Sequence, residues 1–201
     1  MLKHTALVLA LVAAVPLEAA APISQEDRDA LIKDLERSRL IFLEAIDDVN
    51  TEAQWNFKPA PDRWSVAECA AHIIAAEDYY RQNVAAMLKT PPIKATPQAA
   101  ERDAVVKKMS RDRSKPVQAP AALEPAGKVV AKEQAISDFE AARAKTLEYV
   151  RTTQDPLREH ATGTAPTLTS AYQLLLMLSG HTERHTVQLL LVKVSEAYPP
   201  N

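Results

Sequence analysis

The stretch from about residue 170 to 197 constrains this chain more than any other. Leu174, Leu175, Met177, Leu178, Leu189, Leu190 and Val192 make a helix there apolar on most sides, and no proline interrupts it. Such a helix is stable in water only when other elements cover it. It would reach about 40 Å at the usual rise per residue. It reads as the most buried member of a helix bundle.

Three other stretches have the length and pattern to surround it. The first begins near Ser24, whose hydroxyl can cap, with Asp27 in the first turn. Leu31, Leu35, Phe42, Ile46 and Val49 then recur at three-, four- and seven-residue steps, and the stretch ends around Asn50. Residues 55–61, with Pro59 and Pro61, read as an extended connection. The second helix starts at Ser65, which forms an S-x-x-E capping box with Glu68, and Trp64 is placed to staple onto Cys69. It runs to about Lys89, before Thr90-Pro91-Pro92. The third long helix covers about 131–153, with Ile136, Phe139, Leu147 and Val150 on one side. Thr167 or Thr169 can cap the fourth. A short helix over 99–111, through Val105, Val106 and Met109, and an irregular Pro- and Ala-rich stretch at 116–127 lie between the second and third. Only 3 glycines occur in 201 residues, which agrees with helix throughout because glycine costs a helix most after proline. The expected fold is all-α, a four-helix bundle over 22–201 with a long crossover between its second and third long helices.

The N-terminus has the layout of a secretory signal. Lys3 and His4 lead into an apolar run at 6–17, followed by Glu18 and Ala19-Ala20-Ala21. The run is too short to cross the roughly 30 Å of bilayer hydrocarbon as a helix. Residues 1–21 are therefore read as a signal peptide, and the rest as an exported protein, most simply periplasmic, with no stable membrane span. The lone Cys69 cannot form an intramolecular disulfide. A net charge of −2 and the lack of a basic stripe do not point to nucleic acid. Lys107, Lys108, Arg111, Arg113 and Lys115 form the one basic run, expected as a solvated helix end.

The chemistry is carried by histidine. His181 and His185 are four residues apart on the fourth helix, so both imidazoles share one face and can reach one ion. Leu174, Leu178, Gln188 and Val192 share that face, which should look inward. His72 has an equivalent place on the second helix, where Ala70, Ala71, Ala75 and Ala76 allow a neighbour to come close. Histidines from facing helices are how bundles build metal sites. Three such ligands suit zinc or nickel and leave a position open for water or substrate. The alternative is three core histidines, each hydrogen-bonded to protein or water.

The segment Trp64-Ser65-Val66-Ala67-Glu68-Cys69-Ala70-Ala71-His72-Ile73, with Gly180-His181-Thr182-Glu183-Arg184-His185-Thr186-Val187-Gln188-Leu189 downstream, resembles the DinB-like (YfiT-like) family. The resemblance covers roughly 25–196. It implies a four-helix bundle with a three-histidine metal site at His72, His181 and His185. Relatives in that family include thiol-dependent transferases and isomerases that use bacillithiol, mycothiol or glutathione. An exported chain departs from them, because those thiols are mainly cytoplasmic.

The neighbours are read more plainly. Glu68 serves the capping box, Cys69 packs in the core, and His160 lies in or beside a loop outside the motif. Gln188 can hydrogen-bond a ligand imidazole, Arg184 can orient substrate, and Tyr79 or Tyr80 can line a pocket. Glu183 is expected on a solvated face. The function expected is a metal-dependent hydrolase or transferase acting on an unknown small molecule, using water or a thiol. The alternative is a non-catalytic metal- or ligand-binding envelope protein. Bundles of this kind often form homodimers, but no exposed stripe in the sequence compels one.

Overall fold

A computed structural model describes residues 21–93, 99–114, 118–164 and 167–200. The expected signal peptide, apart from Ala21, lies outside them, as does Lys115. Four long helices form the bundle: α1 (Gln25–Asp47), α3 (Val66–Met87), α5 (Lys132–Thr152) and α6 (Ala171–Lys193). The short α2 (Glu52–Asn56) follows α1, and the crossover from α3 to α5 carries α4 (Ala99–Arg111) and a 3-10 turn at Ala121–Leu123. Two-residue strands β1 (Ala161–Thr162) and β2 (Thr169–Ser170) pair antiparallel just before α6.

Side-chain caps fix several of the starts. Ser24 accepts from the Asp27 amide, and Ser65 and Glu68 complete the capping box of α3. The cap of α6 is Ser170, not Thr167 or Thr169: its hydroxyl accepts from the Gln173 amide while Gln173 reaches back to the Ser170 amide. α2 was not expected. Its five residues are too few for a hydrophobic period, but Thr51 and Gln54 form a capping box of the same kind.

α1 and α3 each pack against both α5 and α6, so each pair lies at opposite corners of a square. One part of the core gathers Leu31, Leu35, Ala76, Tyr172 and Leu175; the other gathers Phe42, Ile46, Ile73, Phe139 and Leu189. Between them lies a charged pair with no exposure to solvent. Arg143 of α5 donates to Glu77 of α3 at 2.6 and 2.9 Å, to Ser38 of α1 and to Thr182 of α6, while Thr146 donates to Glu77 at 2.7 Å. All four long helices thus meet at one guanidinium–carboxylate pair. Burying these charges is tolerable only because so many of their polar atoms are matched.

α4 lies across α6 and is held there by charge. Lys107 pairs with Asp34 at 2.6 Å, and Arg111 donates to both oxygens of Glu183 at 2.7 and 3.0 Å. Arg37 also pairs with Glu183, whose side chain is only 13% exposed, so Glu183 is an inter-helix anchor and not a solvated residue. The expectation of a solvated basic run fails in part: Lys107 and Arg111 find carboxylates across the helix junction and Arg113 bonds Gln188, while Lys108 is exposed as expected. Of the apolar residues expected to seat α4, only Val106 is buried; Val105 and Met109 are exposed. α4 comes close to α6 at Gly180, where an added Cβ would meet Ser110 of α4. The C-terminal half of α6 is less buried than its composition implies: Val187, Leu190, Leu191 and Val194 form an exposed apolar row.

Candidate metal centre

His72 points from α3 toward α6 and is 2% exposed. His181 and His185, one turn apart on α6, face it. The Nε2 of His72 lies 3.0 Å from that of His181 and 3.2 Å from that of His185. Among the described residues, these three side chains form the one group able to hold a metal ion, with ligand nitrogens within 4.8 Å of one another.

Hydrogen bonds fix the proton positions on two of the rings. His72 Nδ1 lies 2.7 Å from the carbonyl oxygen of Leu123, which can only accept. Nδ1 therefore carries the proton, and Nε2 presents a lone pair. His185 Nδ1 lies 3.0 Å from Gln188 Oε1. That oxygen also accepts from Arg113 Nη1 at 3.0 Å, so His185 Nδ1 must be a donor as well. Two lone pairs then face each other across 3.2 Å, an arrangement that repels unless a cation lies between them. Zinc–nitrogen bonds of about 2.0–2.1 Å place tetrahedral ligand nitrogens about 3.3 Å apart, which matches the spacing found here. The donor set and the outer hydrogen bonds of His72 and His185 thus fit a divalent ion, while the Nδ1 of His181 is buried without a partner among the described residues.

Burial keeps these imidazoles neutral. His181 is pushed down to about 3 by desolvation, then by His72 and the charge of Arg184. His185 is pushed down to about 2, again mainly by desolvation, with the other two histidines adding to it. His72 is lowered by desolvation against the opposing bond to Leu123. Neutral imidazole is the form that ligates metal.

Aromatic rings wall the site. The Trp64 ring lies 4.8 Å from that of His72 and 5.9 Å from that of His185, and Tyr80 lies 5.7 Å from His181. Trp64 therefore covers the histidine rings while it also packs against the part of the core that holds Cys69. A cavity of about 400 Å³ opens above the histidines, with Tyr79, Tyr80, Met177, Asp112 and Arg184 among its lining residues. Cys69 is fully buried and its thiol is pushed up to about 12, so it packs as a small apolar residue. Glu68 is committed to the Ser65 cap and to Lys58 at 3.0 Å. His160 is buried apart from the cluster, and its Nδ1 has no partner among the described residues.

Two contributors were beyond sequence reasoning. The Leu123 carbonyl belongs to a proline-flanked crossover whose path no period announces, and Arg113 comes from the run read as solvated. Gln188, by contrast, sits three residues after His185 as its spacing implied.

Comparison with known proteins agrees with this architecture. The fold is similar to that of YfiT from Bacillus subtilis, described as a probable metal-dependent hydrolase with an unusual four-helix bundle topology. The two share 14% sequence identity, with a TM-score of 0.56 over 92% of this chain and 95% of that one, a likeness of fold. No match is found among curated proteins. Residues 34–189, most of the bundle and all three clustered histidines, match the DinB superfamily, and this chain belongs to it.

Proposed function

We propose that this protein is an exported metal-dependent hydrolase in which His72, His181 and His185 hold one divalent ion, zinc or nickel. The observation that carries the reading is the pair of lone pairs on His72 and His185, held face to face by Leu123 and Gln188. When bound, such an ion supplies Lewis-acid activation of water or of a substrate carbonyl. The chain's own residues do the rest. Trp64 and Tyr80 cover the imidazoles and keep bulk water from the ligand side. Arg184 brings positive charge to the cavity wall, where it favours an anionic group on the substrate or charge that develops on oxygen. Asp112 adds a carboxylate to the same wall, held by the Ser114 amide and hydroxyl.

Water is favoured over a thiol as the acceptor because the N-terminal layout reads as an export signal, and the thiols used by DinB-like transferases are mainly cytoplasmic. The test is hydrolysis of a panel of simple esters and amides by metal-loaded, chelated and reloaded protein. Activity should vanish with chelation, return with zinc or nickel, and be absent in His185→Ala. A protein that binds metal but turns over nothing on the panel would be read as a non-catalytic envelope metal protein. For export, the full chain expressed in a Gram-negative host should appear in the periplasm with its leader removed. Uncleaved chain confined to the cytoplasm would refute that part and reopen thiol transfer.

A further inference from the structure

The metal cavity has a neighbour. A second cavity, of about 470 Å³, lies farther along the α3–α6 seam, and Tyr79, Tyr80 and Met177 line both. Beyond these shared residues the second cavity is walled by Leu174, Ala86 and Met87, with the polar Asn83, Thr90 and Thr162 at its margins. From His181 back to Leu174 is seven residues on one helix, about 10 Å. On α3 the same direction leads from His72 past Tyr79 and Tyr80 to Met87, so the groove follows both helices away from the histidines. Among the described residues, no charged side chain lines the second cavity.

We infer that the substrate is amphipathic, with its reacting group over His72, His181 and His185 and an apolar arm about 10 Å long lying past Tyr80 and Met177 in the second cavity. This rests on the metal-site reading above and adds the substrate class. The two cavities adjoin at Tyr79, Tyr80 and Met177, and both are walled mostly by apolar side chains, which favours one ligand that reaches from the histidines into the second cavity. Selectivity for the arm then belongs to Ala86, Leu174 and Met177.

The test uses the zinc-loaded full chain and straight-chain hydroxamates, whose head group chelates zinc and whose tail length can be varied from acetohydroxamate to octanohydroxamate. Affinity by calorimetry should rise about fourfold for each methylene that enters the groove. Ala86 is exposed at the groove wall, so Ala86→Trp fills the second cavity with little strain on the core. It should bring the octanohydroxamate affinity down toward that of acetohydroxamate and leave acetohydroxamate binding in place. Equal affinity for short and long chains in the unmodified protein would overturn the inference and leave the metal reading intact. Failure of every hydroxamate, acetohydroxamate included, to bind zinc-loaded protein would overturn both.

Discussion

The Nε2 atoms of His72 and His185 face each other across 3.2 Å between α3 and α6, each with its proton drawn to the far side of the ring. This relationship makes the pair a waiting ligand set and not a hydrogen-bonded couple. It also makes the outer hydrogen bonds part of the site.

Gln188→Ala should therefore weaken metal binding about 10–100-fold without unfolding the protein, the usual cost of losing an outer partner of a ligating histidine. Competition with a metallochromic chelator measures it directly. An unchanged affinity would mean that the His185 ring is oriented by its packing against Trp64 alone.

The Arg143–Glu77 pair should matter for folding more than for metal. Glu77→Ala leaves the Arg143 guanidinium buried without its carboxylate and should cost about 3–5 kcal/mol. Replacing both with apolar residues, as in Glu77→Leu with Arg143→Met, should recover much of that loss. Urea unfolding of Glu77→Leu, Arg143→Met and the double variant gives the comparison, and additive losses would show that the pair is not coupled.

Gly180→Ala should destabilise the chain although alanine is the better helix former by about 1 kcal/mol. The added Cβ would lie 1.8 Å from Ser110 Oγ and 2.7 Å from Ser110 Cβ, so α4 must shift. Overpacking of this kind costs about 1–3 kcal/mol. The defect should be smaller when Ser110→Gly is present as well. A thermal midpoint unmoved by Gly180→Ala would show that α4 does not press on α6 at this point.

Stability of the metal-free protein should fall as pH drops below about 6.5, the ordinary histidine value. All three cluster histidines are held below that value in the fold, mainly by desolvation. The unfolded chain therefore takes up protons in this window while the native state does not, and stability is present above it and lost below. Urea midpoints at several pH values for chelator-treated protein check this, with His185→Gln expected to flatten the dependence. A slope unaltered by that variant would place the titration elsewhere.

Much of this was legible in the chain because it is local. Ser24, Ser65 and the prolines after Thr90 mark helix ends by short-range chemistry, and His181 and His185 share a face by spacing alone. What escaped depends on contacts between distant segments. Glu183 reads as a surface residue until Arg37 and Arg111 arrive from α1 and α4. Arg143 and Glu77 each look like one more charge on a helix, and only the bundle buries them together. The partner of His72 is a backbone carbonyl, which no side-chain pattern can reveal.

The most direct test of the central claim is metal content, measured by plasma mass spectrometry on protein purified without a histidine tag, beside His72→Ala and His185→Ala. One equivalent of zinc or nickel in the unmodified protein, lost in both variants and retained in His160→Ala, is the predicted result. No bound metal after soaking with zinc and nickel at neutral pH, or a content indifferent to His72 and His185, would contradict the account.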